Sequence, residues 1–103
     1  MLVRRILAKT INTDLEYEAI GIDLAKNCAS VALLTTDGEV VCIDRLDYSE
    51  PEKSAQALCP TTFAMEPCTE MNYLVQKLEA WGHRCLVMYR TTLKIIIQAK
   101  KLI

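Results

Sequence analysis

"TTFAMEPCTEMNYLVQKLEAWGHRCLVMY", residues 61–89, is the stretch whose reading decides the fold. Its first part, up to Glu66, is short, apolar and bounded by Pro60 and Pro67, which reads as a buried strand. Met71, Leu74, Val75, Leu78 and Trp81 then recur at helical spacing, with Thr69 placed to cap the helix and Gly82 placed to stop it. "HRCLVMY" returns to strand character. A single helix between two strands implies parallel pairing through a right-handed crossover.

Upstream, "EAIGIDL" (18–24) forms a first strand, and "CASVALLTTDGEVVCIDRL" (28–46) holds two β-rich runs around Asp37-Gly38. Asp-Gly between apolar runs predicts a tight hairpin with both turn residues at positive φ, pairing strands near 29–35 and 39–46. "DYSEPEKSAQALCP" is polar and holds one short helix near 51–58, with Pro51 in its first turn. Residues 1–17 read as an irregular or weakly helical lead-in. Downstream of Tyr89, "RTTLKIIIQAKKLI" supports two readings. Leu93, Ile96, Ile97 and Lys100 fit a helix period, the isoleucine triplet favours a strand, and the helix is the reading taken. The sequence thus predicts an α/β domain with a mixed five-stranded sheet. A three-strand meander is followed by strand-helix-strand, with helices packed against the sheet.

A chain of 103 residues with 51% hydrophobic and 24% charged residues suits one small folded domain. The net charge is −1, but the distribution is uneven. Arg4, Arg5 and Lys9 lie in the first ten residues, and Arg84, Arg90, Lys94, Lys100 and Lys101 in the last twenty-four, while all thirteen acids lie between. Basic ends around an acidic middle suit a phosphate backbone beside a carboxylate cluster, although a solvated basic tail explains the C-terminal part equally well. Five cysteines with no CxxC pair give neither a zinc spacing nor a disulfide framework and point to a reducing, cytoplasmic setting. No segment has the ~20 apolar residues of a membrane span, so no membrane partner is expected.

The chemistry is expected at the carboxyl ends of the strands, where ligands of parallel sheets gather. Asp23 ends the first strand and Glu66 the fourth, and the predicted pairing makes these strands neighbours. Two carboxylates ~4 Å apart repel by about 4 kcal/mol at an effective dielectric of 20, so such a pair favours a cation between them. Mg²⁺, a hard ion that takes carboxylate and phosphate oxygens together, is the natural candidate. Each acid also has a plainer reading. Asp23 can cap the following turn, and Glu66 can serve the positive end of the next helix. Lys26 can reach a phosphate or simply be solvated. His83, directly after a helix stop, reads as structural. Ser30 and Ser49 have no partner that would make either a nucleophile.

"GIDLAKN" (21–27), "AMEPCTEMNYLVQKLEAWGHRCLVM" (64–88) and the spacing between them resemble the amino-terminal part of the DEDD-type transposases of bacterial insertion sequences. That family, related to the pilin-gene-inverting recombinase, has a Holliday-junction-resolvase-like domain of ribonuclease H type. The matching pieces are Gly21-Ile22-Asp23, the Asp37-Gly38 turn, Met65-Glu66 with Cys68 after it, Gly82-His83, and Lys94 beyond the fifth strand. The resemblance runs from about Ala19 to Lys101 and implies a domain over 18–103. It implies metal-dependent DNA transposition, with Asp23 and Glu66 as the first two of four catalytic, Mg²⁺-binding acids. Lys26, Lys94, Lys100 and Lys101 would contact nucleic acid. DNA, in some members a guide RNA, and full-length transposase would be the partners. In the family the last two acids follow in a Lys-Asn-Asp pattern, and a separate domain carries a catalytic serine. Here the line reads "KIIIQAKKLI" to Ile103, so the resemblance implies a domain truncated at its C-terminus that holds Mg²⁺ weakly or not at all and is inactive alone.

Two other readings compete. A non-catalytic remnant would bind nucleic acid or an intact transposase. An ATPase of the actin and sugar-kinase class also begins with Gly-Ile-Asp, but it would need glycine where Ala25-Lys26-Asn27 stands.

Overall fold

The computed structural model describes residues 2–89 and Lys94. Among these residues the order is β1 (Leu2–Ile6), β2 (Tyr17–Leu24), β3 (Cys28–Thr35), β4 (Glu39–Asp47), α1 (Glu50–Ala57), β5 (Thr62–Met65), α2 (Met71–Ala80) and β6 (Arg84–Val87). The strands form one mixed sheet in the order β1-β4-β3-β2-β5-β6. The meander β2-β3-β4 is antiparallel, whereas β2 with β5, β5 with β6, and β1 with β4 are parallel. The meander and the strand-helix-strand unit therefore sit where the patterning puts them.

The sheet has six strands rather than five, because the lead-in contributes β1. Its sequence, LVRRI, shows no apolar alternation. The strand is held at the sheet edge by register with Glu39–Ile43 and by ion pairs, Arg4 with Glu39 and Arg5 with Asp44. Charge on an edge strand also discourages pairing with another chain.

The two faces of the sheet differ. Ile20, Ile22, Val31, Ile43, Phe63 and Met65 point to the face on which α1 and α2 pack through Ala55, Leu58, Leu74 and Leu78. The opposite face carries a smaller cluster of Ala19, Ala32, Leu34, Val40, Cys42 and Ala64, with Leu86 and Met88 against it. Pro51 falls in the first turn of α1 as expected. Helix α2 begins at Met71, and its N-cap position is Glu70, without a side-chain cap bond, rather than Thr69. A backbone bond from the Met71 N–H to the Cys68 carbonyl closes the turn before it, so no hydroxyl is required there.

Gly82, at φ +88°, ends α2 in the left-handed region. Its N–H reaches the Glu79 carbonyl and the next N–H, from His83, reaches Leu78, the paired bonds of a Schellman stop. His83 is then buried between elements. The backbone N–H of Thr61 donates to its Nδ1 at 3.0 Å, and its Nε2 lies 2.7 Å from the Ala55 carbonyl. An N–H can only donate and a carbonyl only accept, so the ring proton sits on Nε2. The ring meets Phe63 edge-on at 4.9 Å, and its structural reading is borne out.

The Asp37-Gly38 hairpin differs in detail from the expected turn. Only Gly38 has positive φ (+86°); Asp37 does not. The Gly38 N–H bonds to the Thr35 carbonyl, giving a three-residue loop with the glycine at the left-handed position. Further along β4, the register with β3 slips between Ala29 and Val31, and Arg45 adopts φ 58° in the resulting bulge. No helix among the described residues is long and apolar enough to cross a membrane.

Candidate functional site

The parallel ladder of β2 with β5 runs Ala19 with Thr62, Ile20 with Phe63, Gly21 with Ala64 and Ile22 with Met65. Asp23 and Glu66 are the residues that follow the last paired rung. β5 ends at Met65, one residue short of the expected end on Glu66, which lies just past the strand. Neighbouring strands are ~4.8 Å apart, so the two acids begin from adjacent backbone positions. Strand alternation settles their side. Ile22 belongs to the helix-covered face and Ala19 to the other, so Asp23, still within β2, extends toward that second face, while Glu66 follows Met65 at the same end of the sheet. Asp23 is exposed and Glu66 half-buried, as suits acids at the end of two buried strands.

A third oxygen donor comes with them. Ser30 stands directly across from Asp23 in the antiparallel β2–β3 register, on the same face and half-buried. The sequence hides this, because the pairing depends on how the Ala25–Cys28 turn closes. There the Ala25 N–H bonds to the Cys28 carbonyl at 2.9 Å. The turn carries Lys26, exposed and with no ion pair among the described residues, at the same end of the sheet as Asp23.

Asp47, in register with Cys28, is another carboxylate at this end, two strands from β2. It is committed elsewhere. One of its oxygens accepts from the Ser49 N–H at 2.9 Å and from the Ser49 hydroxyl at 2.5 Å. Those bonds hold its carboxyl below the usual aspartate value. Accordingly, no group of three His, Cys, Asp or Glu residues capable of holding a metal gathers among the described residues. Asp23, Glu66 and the Ser30 hydroxyl supply oxygen donors at one end of the sheet, the donor type that a hard cation takes. The same set is too small for a pair of ions.

Lys94 is exposed. Lys100, Lys101 and, Lys94 apart, the segment "RTTLKIIIQAKKLI" read as a helix lie outside the described residues. Of the five thiols, Cys42 is buried, Cys28, Cys68 and Cys85 are half-buried, and Cys59 is exposed. Burial, and to a smaller degree Glu79, pushes the Cys85 thiol up to about 11. It behaves as a core hydrophobe rather than a nucleophile. Ser49 bonds to Asp47 in the turn before α1 and serves that turn.

No family model, no curated protein and no solved structure matches this chain.

Proposed function

We propose that the chain is the amino-terminal part of a ribonuclease-H-type, metal-dependent DNA recombinase domain of the DEDD transposase kind. The observation that supports this reading is the β2–β5 register, in which positions 23 and 66 each come directly after the last paired rung of two adjacent parallel strands. The sheet order around it, a meander joined to a parallel strand-helix-strand unit, is what such a domain requires. In this reading Asp23 and Glu66 are the metal-binding and catalytic acids, and Lys26 and Lys94 contact a nucleic-acid backbone. Lys100 and Lys101 would extend that basic surface.

Bound Mg²⁺ would supply a Lewis acid for a phosphodiester oxygen and a more acidic water. Within these 103 residues the protein's own part is narrower. Asp23 and Glu66 hold one cation loosely, Ser30 offers a further oxygen, and Lys26 positions a phosphate. No strand cleavage is expected from the chain alone.

The direct test is Mn²⁺ titration of ¹⁵N-labelled protein. Selective broadening should centre on residues 23, 30 and 66 and disappear in both Asp23→Ala and Glu66→Ala. Broadening spread over Glu16, Glu50 and Glu79, with residue 23 untouched, would remove the basis of the reading. Cleavage of branched or terminal-repeat DNA that needs both acids would instead show that two carboxylates suffice.

The exposed Lys26, with no ion pair among the described residues, beside only two carboxylates also favours a second, non-catalytic reading, in which the chain binds nucleic acid or a full-length transposase without cutting. A gel shift that weakens with salt and with Lys26→Ala, but not with Asp23→Ala, would select it.

A further inference from the structure

We propose that the cavity beneath residues 8–17 is a binding site for a small organic cation with an apolar body, a primary alkylammonium being the simplest member of that class. The cavity follows from the way the sheet is covered. A helix is ~10 Å across and strands are ~4.8 Å apart, so two helices shield about four of six strands. Helix α1 packs on β3 and on α2, and α2 packs on β6. The β1–β4 edge of the same face is left to the loop after β1, which arches over it and leaves a space of about 410 Å³. That volume lies in the range that takes small ligands.

The floor and sides are aliphatic: Ile6, Leu15, Leu33, Val41 and Ile43. Ile6 is 40% exposed and Leu15 is 51% exposed, so apolar surface stays open to solvent around the space. An apolar body has somewhere favourable to go.

The polar wall sets the sign of the head group. The Tyr17 hydroxyl already donates to the Asn12 carbonyl at 2.7 Å. The Thr35 hydroxyl is shared between the N–H and the carbonyl of Glu39. Arg4 is the one cationic side chain lining the cavity among the described residues, and Glu39 neutralises it. Glu16 and Asp37 also line the space, and among the described residues neither has an ion-pair partner. A cation therefore finds two uncommitted carboxylates, a neutral polar head finds the Tyr17 and Thr35 hydroxyls engaged and those of Thr10 and Thr36 open among the described residues, and an anion meets net negative charge. The site is distinct from the Asp23–Glu66 end of the sheet, and it selects the opposite sign of ligand from a phosphate surface.

The test is methyl NMR on the full chain at neutral pH, titrated separately with n-hexylammonium, n-hexanol and n-hexanoate. Hexylammonium should shift the methyls of Ile6, Leu15, Leu33 and Ile43 saturably. Hexanol should bind roughly fivefold more weakly, the scale of exposed charge pairs, and hexanoate should not saturate. Glu16→Gln combined with Asp37→Asn changes two exposed side chains and should reduce hexylammonium affinity to that of hexanol. The proposal is overturned if hexylammonium leaves those methyls unshifted, if hexanol or hexanoate binds as tightly, or if the double variant binds hexylammonium unchanged.

Discussion

Replacing His83 with alanine removes the one side chain that ties α1, the start of β5 and the start of β6 together. The Thr61 N–H loses its acceptor at 3.0 Å and the Ala55 carbonyl loses its donor at 2.7 Å, both beneath a residue that is 4% exposed. A buried backbone group left without a partner costs about 1–3 kcal/mol. The lost edge-on contact with Phe63 adds about 0.5–1.5 kcal/mol. With two such groups orphaned, the variant should therefore be destabilised by about 2.5–7.5 kcal/mol, against a total of roughly 5–15 kcal/mol for a domain of this size. Urea and thermal unfolding followed by circular dichroism would show the loss, with a midpoint at least ~10 °C lower. Hydrogen exchange at the Thr61 amide should accelerate in step. A loss under ~1 kcal/mol with that amide still protected would refute the argument, because water or a shifted backbone would then be doing what the imidazole is said to do.

Four further outcomes follow from the same geometry. Gly82→Ala keeps the space around the α2 stop but forces a side chain into φ +88°, so it should cost about 1–2 kcal/mol in urea denaturation. Cys85 stays protonated to about pH 11 in the fold against an ordinary 9.0, so stability is intact below pH 9 and declines as pH rises from 9 toward 11. Cys85→Val should flatten that decline in urea midpoints measured from pH 8 to 10.5. With a thiol reagent at pH 8, exposed Cys59 should react first and Cys42 and Cys85 last, as mass spectrometry of partly labelled protein would show. Asp23→Ala should leave the unfolding free energy within ~0.5 kcal/mol of the parent, because an exposed residue is removed, while abolishing Mn²⁺-dependent broadening at residue 66.

The elements legible in the sequence are those that bury a periodic apolar set. Strands β2 to β4 fall within one residue of their expected bounds because Ile20, Ile22, Val31, Leu33 and Val41 alternate into one core. Helix α2 declares itself by Leu74 and Leu78 and by the glycine after it. What escaped is what depends on partners distant in the chain. Leu2–Ile6 has no pattern of its own and becomes a strand only because Glu39 and Asp44 receive its arginines. The Asp-Gly pair marks a hairpin, but the loop length that fixes which residue turns left-handed is set by the strand register. At the site, the neighbouring placement of positions 23 and 66 was legible because two apolar strands each end beside an acid. The Ser30 partner was not, since it depends on the closure of a turn with neither glycine nor proline. The withdrawal of Asp47 into the turn with Ser49 likewise shows only in three dimensions.

The parallel pairing of β1 with β4 has a consequence for how the chain assembles. Leu2 meets Glu39 only after β2 and β3 have been laid down between them, so β1, although it precedes them in the chain, is among the last strands to dock. Until they do, Val40, Val41, Cys42 and Ile43 present an uncapped row of backbone donors and acceptors along an apolar strand. Such an edge recruits strands from other chains. A bulky amino-terminal fusion that slows docking should therefore lower soluble yield more than the same fusion at any surface loop, with the arginines of β1 acting as the molecule's own guard against sticking to itself.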